Sequence, residues 1–98
     1  MSFQLHFADP ARDTLINLQS NPALFRRCKA VNAALGKLQT NPRHPGLRTH
    51  KFSERRAPDG SDVFEADAEN NTPGAYRIFW HYGPGKDVIT IIAITPHP

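Results

Sequence analysis

Alternation of hydrophobic and polar positions is clearest in the last quarter of the chain, and the rest reads as organised around it. In residues 75–82, AYRIFWHY, Tyr76, Ile78, Trp80 and Tyr82 fall on one face, while Arg77, Phe79 and His81 fall on the other. A period of two predicts a β-strand. A Gly83-Pro84-Gly85 turn leads into residues 88–95, where Val88, Ile89, Ile91, Ile92, Ala93 and Ile94 leave little alternation. Such a run predicts a central strand covered on both faces. It ends in Thr95-Pro96-His97-Pro98. An arginine is thus placed inside a sheet of large apolar residues, and a histidine just past the most buried strand.

The preceding chain supplies the rest of a domain. Phe3, Leu5 and Phe7 alternate with polar residues and predict a first strand with those three side chains inward. Asp9-Pro10 is a helix-start signal, with Asp as N-cap and Pro at the first helical position. The helix it opens carries Ala11, Leu15 and Leu18 on one face and ends near Gln19-Ser20. Asn21-Pro22 repeats the signal. The second helix places Leu24, Cys28, Val31, Leu35 and Leu38 at spacings of four, three, four and three, with Arg26, Arg27, Lys29 and Lys37 off that stripe. A short link makes the two an antiparallel hairpin.

Asn41–Gly46 (NPRHPG) stops the second helix. Leu47–Phe52 (LRTHKF) reads as a strand with basic side chains on both faces, hence an edge or a strand over a ligand groove. Ser53–Asp62 reads as a polar loop with a Pro58-Asp59-Gly60 turn, and Val63–Ala68 as a strand with Phe64, Ala66 and Ala68 inward and Glu65 and Asp67 outward. Glu69–Gly74 is a turn-rich connection to the final pair of strands. No internal repeat or low-complexity segment appears. The order predicts an α+β fold: an N-terminal strand, a helical hairpin, then an antiparallel β-meander, with the helices on one sheet face. The other face is left free, carrying Arg77, Phe79, His81, Glu65 and Asp67. Whether Glu65 or Asp67 pairs with Arg77 stays open.

Composition adds boundaries. Ninety-eight residues make one domain, residues 1–98. A formal charge of +3, from twelve Lys and Arg against nine Asp and Glu, permits an anionic partner without demanding one. The one cysteine, Cys28, excludes an internal disulfide, predicts a buried thiol, and suits a reducing cytoplasm. No apolar run approaches a membrane span, and MSFQLHF lacks the basic-then-apolar pattern of a signal peptide.

The helical hairpin, the segment NPRHPGLRTHKFS, the strand YRIFW and the apolar last strand ending in a histidine together resemble the RelE/ParE superfamily of bacterial toxins from type II toxin–antitoxin pairs. The resemblance in element order spans essentially the whole chain. It implies a microbial RNase-like fold, and usually an mRNA interferase that cuts mRNA on the ribosome and so inhibits translation. The partner it implies is a cognate antitoxin that masks the concave face, with operator DNA reached only through the toxin–antitoxin complex. By position, Arg77 matches the strand arginine that holds the scissile phosphate, and His97 the C-terminal general acid of the YoeB-like and HigB-like branches. Arg48, His50 and Lys51 lie where the family offers groups for RNA contact or for activating the 2′-hydroxyl. The chain departs from RelE proper in carrying Glu65 and Asp67 where lysines precede the Tyr-Arg strand, which moves the expected site from a lysine-rich to a histidine–carboxylate arrangement.

RNA cleavage by the 2′-hydroxyl needs a base, a cation on the phosphate and an acid for the leaving oxygen. Arg77 suits the cation and His97 the acid. Glu65 is the first candidate base and His50 the second. Arg48, Lys51, Arg55 and Arg56 form a basic run for RNA contact, joined by His81 and by Phe79 as a stacking surface. No cofactor or metal is required, and the spacing of His44, His50, His81 and His97 fits no usual zinc motif. Bland readings stand beside these. Arg77 pairs with a neighbouring strand carboxylate, His97 is a frayed end, the basic run is a solvated edge, and Trp80 with Tyr76 and Tyr82 is core under the helices. Two functional alternatives also remain: a ParE-like DNA gyrase inhibitor, and a catalytically degenerate family member acting as a binding module with its antitoxin.

Overall fold

The computed structural model describes residues 2–70 and 72–97. The elements run β1 (Gln4–Phe7), α1 (Asp9–Ser20), α2 (Phe25–Thr40), β2 (His50–Arg56), β3 (Asp62–Asp67), β4 (Tyr76–Tyr82) and β5 (Val88–Pro96), with short 3-10 turns at Pro22–Leu24 and Pro45–Leu47. One five-stranded sheet has the order β1-β5-β4-β3-β2. Strands β2 to β5 form the expected antiparallel meander. β1 pairs with β5 in parallel, Leu5 opposite Ile89. Nothing local in QLHF encodes the direction of its partner. That is set by the free edge of β5.

The helical stripes pack as their spacing predicts. Leu18 of α1 and Val31, Leu35 and Leu38 of α2 are buried with Ile78, Trp80, Ile89, Ile91 and Ile94, and Phe3, Leu5 and Phe7 lean against the same cluster. Cys28 is only half-buried, and its thiol accepts from Asn32 Nδ2 at 3.6 Å. The start of α1 differs from expectation: Ala8 is the N-cap, without a side-chain bond, and Asp9 sits in the first turn, 2.9 Å from Arg12. There its charge still favours the helix dipole. At the second start Asn21 accepts from the Ala23 amide at 3.1 Å, but it caps the Pro22–Leu24 3-10 turn; α2 begins later, at Phe25, with Leu24 as N-cap and no side-chain bond.

The opposite face is not free. Val63, Ala57 and Ile92 are buried there in a second, smaller cluster, with Phe52, Phe79 and Ala93 packed against it. A register shift between Phe79 and Trp80 lets β5 serve both faces, Ile91 pairing opposite Trp80 and Ala93 opposite Phe79. Two boundaries also move. Leu47 belongs to a 3-10 turn and is fully buried, and Arg48 follows it in the left-handed region at φ 48°, so no strand runs from Leu47. β2 begins at His50 and continues through Ser53–Arg56, residues read from sequence as loop. Their polar side chains hid the strand because they stand at an exposed sheet edge, where no apolar alternation is needed.

Candidate functional site

The meander register puts Arg77 directly opposite Asp67 and puts Glu65 opposite Phe79. The Arg77 side chain nevertheless runs along the sheet to Glu65, its Nη1 donating to Oε2. Asp67 turns instead toward Arg48, 3.8 Å from Nε. Glu65 was expected to point outward, but it is 5% exposed. Burial is tolerated because both carboxylate oxygens are engaged, Oε1 lying 3.1 Å from His50 Nε2. His50 sits opposite Glu65 in the β2–β3 pairing and is itself exposed. Its other ring nitrogen, Nδ1, lies 3.3 Å from the Arg48 carbonyl. Both ring nitrogens thus face an oxygen acceptor, and each fills its contact only as a donor. The Arg77 guanidinium also lies 5.3 Å from the centre of the Phe79 ring, within cation–π range. Its Nε is buried and has no hydrogen-bond partner among the described residues. Arg77 therefore spends one edge on Glu65 and keeps a donor in reserve.

One open cleft of about 530 Å³ gathers Arg77, His97, Arg48 and Asp67 with Glu69, Asn70 and residues 72–75 of the connection between β3 and β4. His97 is held there by its backbone amide, which donates to the Ala75 carbonyl at 2.7 Å as β5 runs past the start of β4. The connection is braced from the helices. Arg27 on α2 donates to Glu69 Oε1 at 2.8 Å and to the Pro73 carbonyl at 2.9 Å, and the Tyr76 amide donates to the same Glu69 oxygen at 3.2 Å. Sequence reading left Arg27 and Glu69 out of the site, because a residue off a helix stripe carries no signal of a partner forty-two positions away.

The remaining expected residues divide. Arg77, His97, Arg48, Glu65 and His50 form one connected group, joined by the contacts and shared cleft above. Phe79 is half-buried in the second cluster, edge-on to Phe52 at 4.9 Å. Lys51 and Arg56 both pair with Asp62, at 3.3 and 3.2 Å, and Arg55 is exposed on the edge strand. His81, expected on an open face, is instead buried, with Nδ1 2.9 Å from the Tyr82 carbonyl. Tyr82, expected in the core, is instead 41% exposed at the end of β4. Among the described residues, no group of three or more His, Cys, Asp or Glu side chains is placed to hold a metal ion.

The fold is shared with toxins of the YoeB and RelE type. The chain superposes on a YoeB/ParE toxin from Agrobacterium tumefaciens with a TM-score of 0.71, covering 98% of this chain and 100% of that one at 11% identity. It is similar over 98% of its length to the archaeal RelE in the RelE–RelB complex from Pyrococcus horikoshii OT3 (TM-score 0.66, 16% identity, 96% of that chain). It is likewise similar to a chain of the YoeB–YefM complex from Staphylococcus aureus (TM-score 0.63, 14% identity, 98% coverage of each). In sequence, no family model and no curated protein matches it.

Proposed function

We propose that this chain is the toxin of a toxin–antitoxin pair and an endoribonuclease that cuts mRNA by 2′-hydroxyl attack. The observation that carries the reading is the cleft itself: a strand arginine with an unused buried Nε–H and a histidine beyond the last strand line the same cavity. The fold shared with YoeB and RelE toxins supports the same reading. Arg77 grips the non-bridging oxygens of the scissile phosphate. The 2′-oxygen attacks phosphorus, and its proton passes to the His50 imidazole, with Nδ1 turned from the Arg48 carbonyl to receive it. His50 takes precedence over Glu65 as base because Glu65 is buried behind it. Glu65 orients the imidazole and balances its charge, as a carboxylate does behind a catalytic histidine. As the bond from phosphorus to the 5′-oxygen breaks, His97 supplies that oxygen with a proton, leaving a 2′,3′-cyclic phosphate and a 5′-hydroxyl. The scheme uses no metal. The ribosome is the expected setting, since mRNA is threaded there as a single strand.

An antitoxin is the expected partner, by analogy with the RelB and YefM chains seen with the neighbours. A second reading, a binding module without catalysis, has one observation in its favour: Asp67 and Glu69 line the cleft beside Arg77 and lower its attraction for phosphate.

Inducible expression in bacteria, scored for growth and for new mRNA 5′ ends, separates the readings. Arg77→Lys is the informative variant, because Arg77→Ala would strand the buried Glu65 carboxylate and confound folding with function. Growth arrest with new 5′ ends is expected from the wild type, and cleavage lower by about a hundredfold or more in His97→Ala at equal protein level. Arrest without cuts points to gyrase inhibition. A folded wild type without arrest points to the binding module.

A further inference from the structure

A second cavity, of about 470 Å³, lies where the 42–51 segment passes over the aromatic end of β3 and β4. That volume is in the range of pockets holding a small ligand, about 300–1,000 Å³. Its wall is aromatic. Phe64 stacks on Trp80 at 4.9 Å with an interplanar angle of 29°, and Tyr82 meets Trp80 edge-on at 5.0 Å. Its rim is basic, with Arg43, Arg48 and Lys51, and no Asp or Glu is among its lining residues. Lys51 and Arg48 have carboxylates nearby, but Arg43 has no acidic partner among the described residues. Two buried polar atoms in this wall are also unpartnered among the described residues: Trp80 Nε1, on a residue 1% exposed, and Thr49 Oγ1. A buried indole N–H without an acceptor is costly in a finished core, and it fits a site whose ligand brings the acceptor.

We propose that this second pocket seats one nucleotide of single-stranded RNA across Arg48 from the scissile phosphate, its base against Tyr82 and Phe64 and its phosphate on Arg43 and Lys51. The inference rests on the nuclease reading for the strand's path. Arg48 lines both cavities, so a strand with its phosphate at Arg77 reaches the second one by turning over Arg48, from the sheet face away from the helices to the face toward them. Stacking faces beside cations are the combination that single-stranded nucleic acid uses. An acidic peptide would satisfy the rim, but a base supplies both the flat surface for the aromatic wall and the acceptors for Trp80 and Thr49.

Trp80 is the sequence's only tryptophan, so the tryptophan fluorescence comes from a residue in this pocket's wall. The wild-type chain is titrated with 5′-AMP, with a 2′-O-methyl tetranucleotide that resists cleavage, and with a Glu-rich peptide carrying one phenylalanine. Saturable quenching by both nucleotide probes is expected. It should weaken about tenfold in Tyr82→Ala, as loss of one stacking face requires, and it should weaken and lose salt dependence in Arg43→Glu. Thermal unfolding of each variant shows that it is folded. No quenching by either nucleotide probe, or quenching unchanged in both variants, overturns the subsite even where the wild type cuts RNA. Quenching by the peptide alone overturns it in favour of a protein partner. Saturable quenching that both variants weaken, from a chain that cuts no RNA, upholds the nucleotide site while the nuclease reading falls.

Discussion

The two faces of β4 are filled in opposite ways. Toward the helices, Ile78 and Trp80 enter a continuous apolar cluster built from both helices and three strands. Away from them, Arg77 and Phe79 share their face with a small cluster and with an Arg77–Glu65–His50 chain of contacts in which Glu65 is buried. The first face stabilises by removing large apolar area from water. The second contributes little net stability, because each buried charge is offset only while its partner stays. A site that must release an arginine to a phosphate is best placed on the second kind of face.

Large-to-small changes on the helix face should cost most. Trp80→Ala is expected to lower unfolding free energy by about 3–5 kcal/mol and Ile78→Ala by about 2–5 kcal/mol, read by denaturant titration. On the other face Arg77→Met should cost less, about 1–3 kcal/mol, since it leaves the buried Glu65 carboxylate with His50 alone, while the double variant Arg77→Met/Glu65→Leu should recover most of that loss. A double variant no more stable than Arg77→Met alone would mean that the face is held by packing and that the two faces do not differ in kind. His50→Ala should cost about 1 kcal/mol or less, because its side chain is mostly exposed and Arg77 remains on the carboxylate.

The smallest expected effect is at the β2–β3 turn. There the Ser61 hydroxyl at 2.6 Å and the Ser61 amide at 2.9 Å hold the Asp59 carboxyl below its ordinary value. A folded-state pKa lower than the unfolded one means that the unfolded chain binds the proton more readily. The contribution is therefore complete above the unfolded value and is lost as pH falls through the folded one. Asp59→Asn should flatten the acid limb of a stability–pH curve slightly and leave its neutral region almost unchanged. An acid limb that does not change would show that the serine bonds do not persist in solution.

Element type was legible wherever a period was strong: the stripe from Leu24 to Leu38, the alternation of β4, and the apolar run of β5. The segment from Leu47 to Arg56 was not, because a proline–glycine turn, a buried leucine and a polar edge strand leave no period to read. For the site, the residue types and the faces of Arg77, Glu65 and Asp67 could be read from alternation. That His97 and Arg77 line one cleft was expected only through the resemblance, because two residues on different strands share no local pattern.

By itself, then, the sequence determined the helices, most of the strands, and which side chains of β4 look toward the helices, since each of these follows from neighbours within a few residues. Tertiary structure alone decided four things. β1 joins β5 in parallel, Arg77 takes Glu65 rather than the Asp67 opposite it, Glu65 is buried, and the 42–51 segment roofs an aromatic pocket with two unpartnered polar atoms. Each depends on register or on contacts between distant segments, where side-chain reach and competition for one partner settle the outcome and no local period records it.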